Sequence, residues 1–187
     1  MEPKLLIPMM GVCAMRFETR ARKGATLRKN ACGFSLIELL IVVAIILIIT
    51  AIAIPNFMRS RMAANQASAV QSLRVLNTAE VTYSSTFQVG YSSTLAQLGP
   101  PTGGALPSKS SADLIDAVLA AGDKSGYSYV YSPALPDASG FYNGYILNAD
   151  PTVTGSTGTA YFFTDQTGVI RASISGPATA SDSPVAQ

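Results

Sequence analysis

The 187-residue chain contains no histidine, no tryptophan and only two cysteines. Without histidine it can hold no Ser-His-Asp triad, no imidazole metal site and no imidazole pH switch. Cys13 and Cys32 both lie in the first 33 residues, which excludes a CxxC zinc site and a disulfide framework. Charge is scarce too: Asp, Glu, Lys and Arg make up 13% of residues, and mean hydropathy is +0.30. That composition does not suit a disordered chain and points to a membrane or a polymer interface. No Gly-rich phosphate loop with a Lys, no nucleophile elbow and no nucleophile–base pair is present, so no enzymatic activity is expected.

What charge there is falls unevenly. Residues 1–33 hold seven basic and two acidic side chains, whereas residues 34–187 hold six basic and nine acidic ones. The basic excess is confined to the first segment, so no nucleic-acid surface is expected in the remainder.

Residues 34–54 read FSLIELLIVVAIILIITAIAI, with Glu38 as the single charge. As a helix this run spans roughly 31 Å, the thickness of a bilayer's hydrocarbon core. The basic flank precedes it, which places the N-terminus in the cytoplasm and the C-terminus outside. Three plain readings compete: a single-pass anchor, a buried core helix, and a signal peptide cut after Ala53, where Ala51-Ile52-Ala53 fits the A-x-A rule. None explains Glu38. A carboxylate in an apolar span is costly and needs a partner. No Lys or Arg lies between residues 30 and 58. A cut just before Phe34 would create an α-amine one helical turn away. That amine could pair with Glu38 of its own chain or, setting a register between subunits, with Glu38 of a neighbour.

The block Gly33-Phe34-Ser35-Leu36-Ile37-Glu38-Leu39-Leu40-Ile41-Val42, with Pro55 closing the apolar run, resembles the processing motif of type IV prepilins and type II secretion pseudopilins. The resemblance covers about residues 30–87. It implies cleavage between Gly33 and Phe34 by a prepilin peptidase, N-methylation of Phe34, and roles in subunit assembly for Phe34, Glu38 and Pro55. It also implies a helical homopolymer as the partner state, built from the inner membrane by an assembly ATPase and a platform protein, with minor pilins or pseudopilins. The final location is then a pilus at the cell surface or a periplasmic pseudopilus. Asn30-Ala31-Cys32 stands where the family commonly has a basic residue, but Arg28 and Lys29 are near. The 33-residue leader is long for the family, and a start at Met15 would shorten it to 19 residues. Cleavage would leave 154 residues without cysteine, so the family's C-terminal disulfide loop cannot form.

The fold class expected is α+β and pilin-like: a helix of about 36–86 packed on a C-terminal antiparallel sheet of about four strands. Its parts are a removed leader (1–33), a membrane or filament-core half-helix (34–54), an amphipathic half (55–87), a head (88–175) and a flexible tail (176–187). Pro55 should kink or locally open the helix. Beyond it, Ala63, Ala67, Val70, Leu73, Leu76, Ala79 and Tyr83 make an apolar stripe. A short helix is expected from Ser110 or Ser111 to Gly122, burying Leu114, Ile115, Val118 and Leu119. Strands are expected near 127–132, 144–149, 159–164 and 169–173, the last two joined by Asp165-Gln166-Thr167-Gly168. The strand tyrosines read as half-buried packing with wet hydroxyls. No cofactor is called for. The one exception is calcium, for which Asp137, Asp150 and Asp165 would have to meet.

Overall fold

The computed structural model describes residues 34–185; the leader with Gly33, Cys13 and Cys32, and the last two residues, lie outside the described residues. The chain divides at Ile41–Val42, and the described residues from Val42 onward form one compact unit. Helix α1 runs from Leu36 to Phe87, 52 residues. It continues through Pro55, where the missing amide leaves the Ala51 carbonyl without its helical donor. Gln88, with φ of 53°, and Gly90, with φ of 76°, take left-handed conformations that end it.

The side chains from Phe34 to Met58 are largely exposed, whereas Ala69, Ser72, Leu73, Leu76, Ala79, Glu80 and Tyr83 are buried. Their spacing of three and four places them on one helix face. The expected stripe is therefore right from Leu73 to Tyr83, but Ala63 and Ala67 are exposed. At that level α1 meets the rest of the chain through polar atoms instead. Asn65 Nδ2 donates to the Thr157 carbonyl at 2.8 Å, and Gln66 Nε2 to Thr159 Oγ1 at 2.9 Å.

Six strands form one antiparallel meander in chain order: β1 (Asp123–Lys124), β2 (Tyr127–Pro136), β3 (Tyr142–Pro151), β4 (Tyr161–Asp165), β5 (Arg171–Ser173) and β6 (Ser183–Pro184). The four expected strands are β2 to β5. The two additions are edge strands of two residues, too short to carry a period-two pattern. One core joins Leu73, Leu76 and Tyr83 of α1 to Tyr127, Tyr145, Leu147 and Phe162 of the sheet. Each fully buried leucine contributes about 1.5–3 kcal/mol.

Three expectations need correction. The helix placed at 110–122 is only α3, Ala117–Ala120, with Asp116 as its N-cap. Ser108 and Ser111 exchange backbone hydrogen bonds in a turn, so the cap lies further on, and Val118 is exposed. A second short helix, α2 (Leu95–Leu98), was not expected; four residues carry too little periodicity to see. Residues 176–185 are also tied down. Ala178 is buried, its carbonyl accepts from Asn148 Nδ2 at 3.1 Å, and β6 pairs with β5.

The strand tyrosines divide: Tyr131, Tyr142 and Tyr161 are half-buried, as expected. Tyr127, Tyr129 and Tyr145 are instead buried. Tyr127 donates to the Ala160 carbonyl at 2.8 Å, and Tyr131 to the Ser92 carbonyl at 2.7 Å. Burial, chiefly, pushes the Tyr127 hydroxyl up to about 12.

Gly90 is the tightest backbone junction. A Cβ there would stand 2.2 Å from the Tyr142 carbonyl oxygen, the same oxygen that accepts from the Tyr91 amide at 2.8 Å. Gly90→Ala is expected to destabilise the fold by about 1–2 kcal/mol from the left-handed backbone alone, with the clash adding more. Gly103→Ala, at φ of 68° with nothing within 4 Å, should lose only the first part. Thermal unfolding of the full chain in detergent checks both.

Candidate functional site

Ser35 stands immediately before α1, and its amide donates to Glu38 Oε2 at 2.9 Å. This is half of a capping box: the third helical residue reaches back to the cap's own N–H. Sequence reasoning missed it, although Ser35-Leu36-Ile37-Glu38 has the S-x-x-E spacing of that motif. Glu38 thus has a local partner. A carboxylate has two oxygens, so accepting the Ser35 amide on one leaves the other for a cation.

Beyond Glu38 the helix is apolar all round, and Phe34, 77% exposed, opens the described residues. Thr50 adds no free polarity, because its hydroxyl donates back to the Ile46 and Leu47 carbonyls at 3.0 and 3.1 Å. Among the described residues one helix is long and apolar enough to cross a membrane, and none of its apolar window is buried. An apolar surface of this size does not stay in water. It needs lipid or other copies of itself.

The three aspartates weighed for calcium do not meet. Asp137 lies in the β2–β3 turn, where Oδ1 accepts from the Ser139 and Phe141 amides. Asp165 pairs with Ile146 in register, and its Oδ1 caps the β4–β5 turn. Asp150 pairs with Ser128. Successive positions along β3 are thus about four residues, or roughly 13 Å, apart. Among the described residues no group of three acidic or thiol ligands exists. Asp150 keeps one buried oxygen without a hydrogen bond, and burial raises its pKa. One such oxygen does not make the six to eight that calcium takes.

A buried acid went unforeseen. Glu80 has no exposed surface, and its carboxylate accepts from the Ser92 amide at 3.0 Å and Ser92 Oγ at 2.6 Å. Burial raises its pKa, with the Ser92 hydrogen bonds opposing. Its place four residues after Leu76 on the buried face was the available signal. Tyr131 stacks on Tyr145 at 6.1 Å, and Tyr145 donates to Asn77 Oδ1 at 3.0 Å. Burial first, then the Glu80 charge, push both hydroxyls up.

A long helix, apolar at its start and packed at its end on an antiparallel meander, is an α+β pilin-like fold. The model of a family described as the prokaryotic N-terminal methylation motif matches residues 28–54. The type IV major pilin protein PilA of Myxococcus xanthus is 51% identical over 51 residues, 27% of this chain and 23% of that protein. The type IV wide pilus major component PilA4 of Thermus thermophilus is 60% identical over 37 residues, 20% of this chain and 28% of that protein. The matches thus span about a quarter of each relative. No solved structure matches the chain. Over its N-terminal segment the chain thus carries the methylation motif and is similar to two type IV major pilins.

Proposed function

We propose that the chain is a structural subunit of a type IV pilus-like filament. The observation that carries this reading is an exposed apolar helix start bearing one carboxylate, inside the segment that matches the methylation motif. The precursor sits in the inner membrane with its basic leader in the cytoplasm. A prepilin peptidase cuts between Gly33 and Phe34 and methylates the new amine. That amine approaches the open oxygen of a neighbour's Glu38 while the apolar half of α1 passes from lipid into a bundle of identical helices. Both surroundings are apolar, so the transfer itself yields little hydrophobic free energy. A cytoplasmic ATPase and a membrane platform protein supply the work. The Ala51 carbonyl freed by Pro55 lets the helix open locally as subunits pack.

That the named relatives are pilus components favours an extracellular pilus serving adhesion, twitching motility or DNA uptake. One observation favours the second reading, a pseudopilin of type II secretion: residues 34–187 hold no cysteine for a disulfide loop. Deletion of the gene separates the two. Loss of surface fibres supports the pilus; loss of protein export with fibres intact supports the pseudopilus. Mass spectrometry of the mature chain tests the common part. The expected N-terminus is N-methyl-Phe34, and one at Ile54 would replace the filament with a secreted protein.

A further inference from the structure

The charges of the described residues are sorted by element. From residue 39 to 87, α1 carries Arg59, Arg61 and Arg74, all exposed, and its single acid, Glu80, is buried. Residues 88–185 carry seven aspartates against Lys109, Lys124 and Arg171. Among the described residues the only ion pair is Lys124 Nζ to Asp116 Oδ2, at 2.7 Å. None of the three α1 guanidinium groups has a hydrogen-bond partner among those residues. The turn-capping aspartates, Asp137, Asp165 and Asp182, are occupied by amides and hydroxyls. Asp113 and Asp123 are exposed and have no side-chain partner among the described residues. In the chain Asp113 precedes α3 and Asp123 follows it. Asp123 lies in edge strand β1, on which α3 packs, and the Asp113 amide anchors to the Gly99 carbonyl. Arg74 lines a groove of about 250 Å³ with Gln71, Val75, Thr78 and Leu114.

The geometry points to a second copy of this chain as the occupant of the exposed face of α1: Arg59, Arg61 and Arg74 of one copy receive Asp113 and Asp123 on the α3–β1 edge of the next. This rests on the filament reading and names its contact. The two patches have opposite sign and lie on different parts of the same chain. Such patches can meet across a two-fold axis or head to tail; only the head-to-tail contact repeats into an open helical array, the one a filament requires. All three α1 cations are arginine, whose planar fork holds a carboxylate at two points. Arg59 and Arg61 follow the apolar run directly, so before assembly they reach lipid phosphates. Leaving the bilayer strips that partner, and an aspartate edge replaces it.

The test uses the full chain expressed in its own cells. Asp113→Asn with Asp123→Asn keeps the left-handed backbone at Asp113, which asparagine tolerates, and removes both charges. Sheared filament should fall about tenfold, a loss that high salt reproduces in the wild type, because such contacts are screened. The amount of processed subunit in the membrane and its melting temperature should not change. Reversal of the acids to arginine should abolish filaments, and adding Arg59→Glu, Arg61→Glu and Arg74→Glu to that chain should restore them. Wild-type filament yield in the asparagine variant overturns the proposal and leaves the filament reading standing. Arginine reversals that lower membrane retention, with no rescue by the reversed acids, assign these side chains to lipid headgroups and also overturn it. If no wild-type filament contains the chain, the filament reading itself fails.

Discussion

Glu38→Ala is expected to remove filaments altogether while the cut and methylated subunit accumulates in the inner membrane. Two effects coincide at this residue. Its carboxylate caps α1 by accepting the Ser35 amide at 2.9 Å. It also stands as the single charge in an apolar run, where an off-centre unpaired carboxylate costs at most about 3 kcal/mol on insertion scales. Glu38→Gln separates the two effects. Glutamine keeps a carbonyl oxygen for Ser35 and so preserves the capping box. It carries no charge with which to form an ion pair to an ammonium group. Filaments should therefore be lost in both variants. Wild-type yield from the glutamine variant would reduce Glu38 to a helix cap and remove the register argument with it. Electron microscopy of sheared fractions, with immunoblots of the membrane, reads both amounts.

Glu80→Ala is expected to be the most damaging single change within residues 42–185. It leaves the Ser92 amide and hydroxyl without an acceptor, at about 1–3 kcal/mol for each buried donor left unsatisfied. A cavity among Tyr83, Tyr131 and Tyr145 adds to that. The acid itself also imposes a pH dependence. Its folded pKa lies above the ordinary 4.5 because burial disfavours the charged form. Between those two values the unfolded chain has lost a proton that the folded chain still holds. Stability therefore falls as pH rises through that window and is level above it. The groups facing Glu80 are tyrosines, Tyr83 on α1, Tyr131 on β2 and Tyr145 on β3, and these stay protonated throughout. Glu80→Gln should abolish the fall, retain the bond from the Ser92 amide, and cost less than the alanine variant. Denaturant unfolding of the full chain in detergent from pH 4 upward checks the sign. An unchanged slope in the glutamine variant would assign it to other groups.

Both residues show how the two levels of information divide. Glu38 was conspicuous in the sequence because polarity in an apolar run is rare. Its local hydrogen bond was legible too, since a capping box is a spacing rule within four residues. Glu80 was not conspicuous. In an amphipathic half-helix an acid is ordinary, and only the packing of β2, β3 and the loop after α1 turns its position into an interior one.

The same division holds for the fold. Length, the apolar run and the i, i+3, i+4 pattern from Leu73 to Tyr83 determined α1 by themselves, because a helix is built from contacts within one turn. Alternation marked β2, strand-forming runs marked β3 to β5, and Asp165 to Gly168 marked their last hairpin. The four-residue helices, the two-residue edge strands and the anchoring of residues 176–185 were decided by tertiary structure. Segments that short hold too few local hydrogen bonds to form alone, and they exist because Ala178, Leu98 and Leu119 have a core to enter. Where the three aspartates stand was likewise decided by sheet register, which sets distances between residues far apart in the chain and leaves no trace in their spacing along it.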